Sequence, residues 1–362
     1  MPCDNDFFRE RVRNSPHADE VSNTPMSAMN QQAIPADADA IIAETDAAVA
    51  KIKAAREAIG HVIYGQESVI ERTLITILAG GHGLLIGVPG LAKTKLVETL
   101  GTVFGLSERR IQFTPDLMPS DIIGSEVMDQ APDGSRNFRF VPGPVFAQLL
   151  MADEVNRASP RTQSALLQSM QEYHVTVAGV DHRLPRPFHV LATQNPLEQE
   201  GTYPLPEAQL DRFLLQIDVL YPDRDAERRM LFETTGTVNA RAETVLDAEG
   251  LQRIQRLVRR MPVGESVVEA ILELVRSARP DDNPDPKLAE AISWGPGPRA
   301  SQALMLACRS RALIDGRYAP SVDDVLALAE PVLQHRMALG FAARADGITV
   351  RDVIADLKAR IG

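Results

Sequence analysis

One glycine-containing segment constrains the fold of this 362-residue chain more than any other feature. The segment consists of Gly87, Val88, Pro89, Gly90, Leu91, Ala92, Lys93 and Thr94. It follows an apolar run at residues 84–86 and leads into a helical pattern. In that context, backbone N–H groups at a helix N-terminus can surround a phosphate. We predict that the segment binds nucleotide phosphates, with Lys93 on the β- and γ-phosphates and the Thr94 hydroxyl on Mg²⁺.

The segment departs from the usual phosphate-binding pattern at one position. Ala92 stands where a glycine normally precedes the lysine. Because a methyl group is small, we expect this variation to be tolerated. The alternative interpretation is a Gly/Pro turn in front of a surface helix, since short motifs also occur by chance.

An apolar strand pattern that ends in two acids supplies a second signal. Residues 149–152 are apolar, and Asp153 and Glu154 follow directly. We predict that Asp153 helps to hold Mg²⁺ and that Glu154 orients and activates the attacking water. A solvated acidic turn is the alternative for this segment alone. The two segments in this order favour an enzyme that hydrolyses ATP to ADP and phosphate.

Apolar runs alternate with helical patterns in the first part of the chain. Strands are predicted at 83–86, 111–113, 149–151, 190–192 and 214–219, and helices at 68–79, 91–104 and after Ser159. This alternation predicts an α/β fold with a mainly parallel sheet. After Pro222, helices are predicted at 223–235, 247–260, 265–277, 298–313, 321–337 and 349–361. The expected domains are a disordered tail (1–40), a core (41–222) and an all-helical domain (223–362).

Composition narrows the functional classes. The net charge is −11, which argues against general binding to nucleic acid or to anionic membranes, because such binding needs basic patches. We therefore expect no stable binding to either. Cys3 and Cys308 offer neither a disulfide framework nor a metal-ligand spacing, and no secretory signal or membrane-spanning run is evident. These features predict a cytoplasmic protein.

Four sequence blocks resemble the MoxR family of AAA+ ATPases. They are QFTPDLMPSD at 112–121, DEVNRA at 153–158, ATQNP at 192–196 and YPLPEAQLDRF at 203–213. The helical region matches more loosely, at 297–300 and at Gln334-His335-Arg336. The resemblance implies a P-loop AAA+ core, a parallel sheet with helices on both faces, followed by an all-helical lid domain. It also implies ATP and Mg²⁺ as ligands, with Thr94 and Asp153 at the metal.

The resemblance assigns roles to three further residues. Asn195 matches the sensor-1 residue, which contacts the attacking water or the γ-phosphate; a turn-forming Asn before proline is the alternative. Arg212 matches the arginine finger, which reaches the nucleotide of a neighbouring subunit; an ion pair with Asp211 or Glu207 is the alternative. Arg299 matches sensor 2, a nucleotide-contacting residue of the lid, and a solvated helix-start arginine is its alternative.

Interface roles for two other arginines, Arg157 and Arg161, remain open beside purely structural ones. The resemblance also implies two inserted elements, at 122–142, with a hairpin tip at Asp133-Gly134, and at 173–186. In related machines such elements face the central pore or the substrate, and plain surface hairpins are the alternative.

The resemblance further implies a homo-hexameric ring with chaperone-like activity on a partner protein. A protein that carries a von Willebrand factor A domain is the expected partner. Three other functions remain open at this point: the ATPase subunit of a metal chelatase, a nucleic-acid motor, and a nucleotide-gated scaffold without turnover. The presence of Glu154 and Arg212 favours hydrolysis over the scaffold.

Overall fold

A five-stranded parallel sheet organises the N-terminal part of the fold. The computed structural model describes residues 38–130, 136–198, 201–234 and 241–361. Its strands are β1 (Gly83–Ile86), β2 (Glu108–Gln112), β3 (Gly124–Gln130), β4 (Arg136–Pro142), β5 (Leu149–Asp153), β6 (His174–Val177), β7 (Val180–Arg183), β8 (His189–Gln194), β9 (Leu215–Asp218), β10 (Ile292–Trp294) and β11 (Ala338–Leu339). The sheet order is β2-β5-β8-β1-β9, so strands far apart in sequence are neighbours.

Helices alternate with these strands and then dominate the C-terminal region. They are α1 (Ala38–Gly60), α2 (Glu67–Leu78), α3 (Lys93–Val103), α4 (Pro119–Ile123), α5 (Pro160–Glu172), α6 (Glu207–Leu210), α7 (Arg224–Thr234), α8 (Ala248–Arg260), α9 (Glu265–Ser277), α10 (Pro286–Ala291), α11 (Pro298–Ile314), α12 (Val322–Leu333), α13 (Phe341–Ala345) and α14 (Val350–Ile361). The predicted α/β core followed by helices is confirmed.

Both faces of the parallel sheet are buried, because successive residues of a strand point to opposite sides. Leu84 of β1 belongs to one apolar cluster, which includes Leu166 of α5. Leu85 belongs to the other cluster, which extends to Leu304 of α11 and Leu328 of α12. The C-terminal helices therefore share a continuous apolar core with one face of the sheet.

The C-terminal region contains elements that were not predicted, namely the short helices α10 and α13 and one short pair of strands. Strands β10 and β11 form a short antiparallel pair in which Ile292 lies opposite Leu339, and both side chains are buried. Strands of two or three residues are too short to show a period-two pattern, so the residue pattern does not predict them.

The predicted helix start at Ser159 and the two predicted insertions are confirmed. The Ser159 side chain accepts a hydrogen bond from the Thr162 backbone N–H, and Pro160 is the first residue of α5. Strands β3 with β4, and β6 with β7, form antiparallel hairpins at the two expected insertions. The β6–β7 turn is made by Ala178 and Gly179, both with positive φ, as two-residue hairpin turns require. The Asp133-Gly134 tip lies outside the described residues.

The predicted tail at residues 1–40 falls mainly outside the described residues, which begin with α1 at Ala38. Residues 42–362 form one compact unit. In the described part of the chain, no helix combines the length and the apolar composition that a bilayer span requires.

Candidate functional site

The segment at residues 87–94, here called the phosphate loop, connects β1 to α3. Gly87 is required at its base, because a Cβ atom there would lie 2.6 Å from the Val219 carbonyl oxygen. Lys93 is the first residue of α3, so the loop leads directly into a helix N-terminus. Backbone N–H groups that lack partners inside the helix are concentrated at this point. The local geometry is therefore that of an anion-binding loop.

The Lys93 ammonium group lies within the phosphate loop. Its Nζ donates to the carbonyl oxygens of Gly87, at 2.6 Å, and of Val88, at 2.8 Å. Burial lowers the pKa of Lys93, and the nearby Asp153 and Glu154 carboxylates oppose that shift. The cation is thus held where a phosphate bound by the loop would contact it.

Ala92 adopts the left-handed conformation, with φ 56° and ψ 20°. A residue with a Cβ atom pays about 1–2 kcal/mol in this region, whereas glycine pays nothing. The expectation of a tolerated variation considered only the size of the methyl group. The backbone conformation explains why glycine is usual at this position, and it makes Ala92 a strained residue of the loop.

Asp153 ends strand β5, which lies between β2 and β8 in the sheet, and is buried. Its Oδ1 accepts a 2.6 Å hydrogen bond from the Thr193 hydroxyl of β8. Its Oδ2 accepts from Nε of Arg110, at 3.2 Å, and also from Nη2 of that residue on β2. Both carboxylate oxygens are therefore oriented by the two neighbouring strands.

Glu154 follows in the left-handed conformation, with φ 56°. Its backbone N–H donates to Thr193 Oγ1 at 2.8 Å. Its Oε2 accepts from Gln112 Nε2, at 2.7 Å, and from Arg157 Nη1, at 3.0 Å. Non-glycine residues in this region concentrate at functional sites, because the surrounding contacts must hold them there. Two side chains thus hold the Glu154 carboxylate in place.

Asn195 lies one residue beyond β8 and is buried. Its Oδ1 accepts a hydrogen bond from the Leu197 backbone N–H at 3.1 Å. This is the turn contact that the alternative interpretation of this residue predicts. An Asn whose oxygen is used in this way still has two amide N–H donors. A turn role and a contact with a ligand are therefore compatible for Asn195.

These elements surround a cavity of about 470 Å³ at the carboxyl ends of β1, β5 and β8. Ligands of open parallel sheets characteristically bind at that edge. The cavity is lined by Pro89, Gly90, Leu91, Ala92, Lys93, Thr94, Lys95, Arg110, Gln112, Asp153, Glu154, Thr193 and Asn195. The structure thus brings together the phosphate loop, the two acids and Asn195.

Arg212 and Arg299 do not line this cavity. They line another cavity, of about 280 Å³, together with Asp211 and Arg336. Nη1 of Arg212 donates to the Leu167 carbonyl oxygen, and its buried Nε has no hydrogen-bond partner among the described residues. Burial and the adjacent Arg299 lower the pKa of Arg212.

The ion pair of Arg212 with Asp211 or Glu207 is not observed among the described residues, since Asp211 pairs with Arg336. Nε of Arg299 lies 3.9 Å from Asp211 Oδ2, and half of the Arg299 side chain is exposed. Within one chain, Arg299 is thus placed apart from the phosphate loop, to which the resemblance had assigned it as a nucleotide ligand.

The sequence analysis assigned no role to three residues of the site: Arg110, Gln112 and Thr193. Each contacts Asp153 or Glu154 through the sheet order, in which β2 and β8 flank β5. Gln112 pairs with Asp153 in the β2–β5 register. For Thr193, the available signal was a polar residue near the end of a buried strand, whereas the polar strand β2 offers no comparable signal for Arg110 and Gln112.

Comparisons with known proteins agree with this geometry. The model of the ATPase family associated with various cellular activities (AAA) matches residues 82–215, and that of the AAA lid domain matches residues 288–357. Chaperone MoxR1 of Mycobacterium tuberculosis is 43% identical over 294 residues, which are 81% of this chain and 77% of that protein. Protein MoxR of Paracoccus denitrificans is 31% identical over 306 residues, covering 80% of this chain and 89% of its own.

A solved structure of a candidate ATPase from Cytophaga hutchinsonii is also similar to this chain. It has a TM-score of 0.83 and 38% sequence identity, and the match covers 90% of this chain and 98% of that one. The fold and the phosphate loop, together with these matches, define an AAA+ ATPase with a lid domain. Within that class, the chain belongs to the MoxR family.

Proposed function

We propose that this protein hydrolyses ATP in the cavity formed by the phosphate loop, Asp153, Glu154 and Asn195. One observation carries the proposal. The ends of three strands place the Lys93 ammonium group, the carboxylates of Asp153 and Glu154 and the Asn195 amide around a single cavity of about 470 Å³. Phosphoryl transfer needs this combination, because catalysis there consists mainly of positioning and charge stabilisation. Lys93 would contact the β- and γ-phosphates, and Asn195 would donate to the γ-phosphate or the attacking water.

The donor set of the site fits Mg²⁺. The Thr94 hydroxyl and the Asp153 carboxylate supply oxygen ligands, which this cation prefers. When bound, Mg²⁺ neutralises charge on the phosphate oxygens. Thr193 keeps Oδ1 of Asp153 oriented. Glu154 would orient and activate water, since its carboxylate borders the same cavity.

The distribution of arginines supports a site shared between subunits. Arg212 and Arg299 line a cavity from which the phosphate loop of the same chain is absent. An arginine finger that acts in trans needs this separation, because it serves the nucleotide of a neighbour. Repeated head-to-tail contacts of one kind close into a ring. We therefore propose a homo-oligomeric ring, with the hexamer as the expected size.

The biological role proposed here is chaperone-like remodelling of a partner protein. It is supported by the description of the Mycobacterium tuberculosis relative as a chaperone. A partner with a von Willebrand factor A domain remains the expected one. The β3–β4 hairpin offers a surface for such contacts, since Met128 and Phe138 are exposed on it. The cytoplasmic location stays a prediction.

Nucleotide binding and turnover test the proposal separately. Lys93→Ala should abolish tight binding of a fluorescent ATP analogue, because the variant lacks the positive charge that contacts the β- and γ-phosphates. Glu154→Gln should bind the analogue and Mg²⁺ but stop phosphate release, since an amide cannot accept the proton from water. Lys51→Ala, at an exposed lysine of α1, is the matched control and should change neither property. Full turnover by Glu154→Gln would contradict the proposed role.

A further inference from the structure

We propose that Arg336 is a positioning residue that holds the backbone on both sides of Arg212 and so aims its side chain at the neighbouring subunit. The proposal rests on the proposed function, in which Arg212 acts on a neighbour's nucleotide. Arg336 belongs to the Gln334-His335-Arg336 turn, here called the lid turn, which follows α12.

Arg336 is deeply buried, with 2% of its side chain exposed. Its Nε donates to Asp211 Oδ1 at 2.8 Å. Its Nη2 donates to the Asp211 carbonyl oxygen, at 3.2 Å, and to that of Phe213. Its Nη1 donates to the carbonyl oxygen of Leu214, at 3.2 Å, and also to that of Val332. A buried guanidinium group is tolerated when its donors are satisfied in this way.

The hydrogen bonds of Arg336 reach residues on both sides of Arg212 in the sequence. Asp211 precedes Arg212, while Phe213 and Leu214 follow it, and all three residues accept from the one guanidinium group. The backbone at Arg212 is therefore fixed from both sides by a residue 125 positions distant from Asp211.

The rest of the lid turn strengthens this attachment. His335 Nε2 lies 3.1 Å from the Phe213 carbonyl oxygen, and burial keeps the pKa of His335 well below its usual value. The neutral ring donates this bond in the tautomer that carries its proton on Nε2. Gln334 Nε2 donates to Asp218 Oδ2 at 3.2 Å. All three residues of the turn thus hold the segment from Asp211 to the end of β9.

The Arg212 side chain is held much more weakly than its backbone. Its guanidinium group has a single hydrogen bond in the described structure, to Leu167, and its buried Nε has none. A side chain whose backbone is fixed, and whose guanidinium group still has free donors, is suited to contact a ligand across an interface. The alternative is that Arg336 merely stabilises the fold. Subunit mixing separates the two.

The test uses Arg336→Lys, which keeps the charge but lacks the planar guanidinium fork, so its single nitrogen cannot reach all the acceptors that Nε, Nη1 and Nη2 of Arg336 bind. We expect kcat for ATP to fall at least tenfold, with KM within about threefold, because a finger contributes up to ~10³–10⁵ in rate. Mixed with Glu154→Gln, which supplies an intact finger, Arg336→Lys should regain activity. Mixed with Arg212→Ala, it should not, because both subunits then have defective fingers.

Two further samples make the outcome decisive. Arg317→Lys is the matched control, since it weakens the pair with buried Asp324 elsewhere in the lid; it should keep its turnover. Activity of Arg212→Ala mixed with Glu154→Gln tests the proposed function itself. Suppose that this mixture is active. The positioning role is then wrong if Arg336→Lys restores activity when mixed with Arg212→Ala. It is also wrong if Arg336→Lys binds nucleotide and joins rings but restores activity with neither Glu154→Gln nor Arg212→Ala.

A folding defect in Arg336→Lys is handled by a second variant. Asp211→Asn removes the charged partner of Arg336 and keeps the carbonyl contacts. It should behave like Arg336→Lys in the mixing experiment: rings mixed with Glu154→Gln should hydrolyse ATP, and rings mixed with Arg212→Ala should not. Wild-type turnover by Asp211→Asn overturns the proposal. So does loss of fold in both variants, because Arg336 is then only a structural residue.

Discussion

The hydroxyl of Thr193 donates a 2.6 Å hydrogen bond to Oδ1 of Asp153, and Oγ1 of Thr193 accepts a 2.8 Å hydrogen bond from the backbone N–H of Glu154. One side chain of β8 therefore orients both acids at the end of β5. It fixes the carboxylate of Asp153 and the strained backbone of Glu154 together. This contact links the sheet order to the chemistry of the site.

Thr193→Val should weaken both the fold and the turnover. Valine keeps the shape but leaves a buried carboxylate oxygen and an N–H without their partner, which costs about 1–3 kcal/mol. We expect a lower urea midpoint and a lower kcat for ATP. Thr193→Ser retains the hydroxyl and is the control. Equal stability and turnover of Thr193→Val and the parent would show that the contact is dispensable.

Ala92→Gly should stabilise the protein. Relief of the left-handed strain contributes about 1–2 kcal/mol, and the greater freedom of glycine in the unfolded chain offsets about 0.4–1 kcal/mol. The net gain, up to about 1.6 kcal/mol, is measured by urea denaturation. Ala54→Gly, in an exposed position of α1, is the matched control and should destabilise by about 1 kcal/mol. A loss of stability in Ala92→Gly would contradict the assignment of strain.

Arg110→Gln should reduce the Mg²⁺ concentration needed for half-maximal ATP hydrolysis. Arg110 donates to Oδ2 of Asp153, a proposed Mg²⁺ ligand, so the ion and the guanidinium group compete for the carboxylate. Half of the Arg110 side chain is exposed, so the pair is worth about 1 kcal/mol at most, or about a fivefold change. Arg109→Gln, on the same strand, is the control. A higher Mg²⁺ requirement in Arg110→Gln would mean that Arg110 assists the ion.

Stability should fall as the pH is lowered below about 6.5. Burial lowers the pKa of His82 to about 3 and that of His189 to about 4. In the unfolded chain, histidine has a pKa near 6.5, so between these values the unfolded state binds protons that the folded state excludes. Each residue contributes up to about 1.4 kcal/mol per pH unit.

The pH dependence is measured as the urea midpoint from pH 7 to pH 5. His82→Gln should flatten the slope, whereas His61→Gln, at an exposed position, should leave it unchanged. An unchanged slope in His82→Gln would show that His82 is not buried in its neutral form.

Much of the fold and part of the site could be predicted because their signals are local. The phosphate loop lies between a strand and a helix within a few residues, and Asp153 and Glu154 end one apolar run. The cap at Ser159 follows from the residue pair Ser-Pro. Each of these features depends on neighbours in sequence, so a single chain carries enough information for it.

The remaining features depend on contacts between distant segments. The contacts of Thr193 and Arg110 with Asp153 exist because β2 and β8 flank β5. The pairing of Arg336 with Asp211 spans 125 residues and joins the lid turn to the segment before β9. Strand order and the docking of the C-terminal helices are set by tertiary packing, which residue patterns alone do not determine.

The central claim is that the catalytic site is shared between subunits, and subunit mixing tests it most directly. Arg212→Ala and Glu154→Gln are each expected to bind ATP but to hydrolyse it poorly. At equal amounts and with random exchange, about a quarter of the interfaces in a mixed ring pair an intact Glu154 with a neighbour's intact Arg212. We predict that ATPase activity reappears on mixing, with exchange verified by a labelled subunit. Verified exchange without recovered activity, or full activity of Arg212→Ala alone where sedimentation detects only monomers, would contradict the shared site.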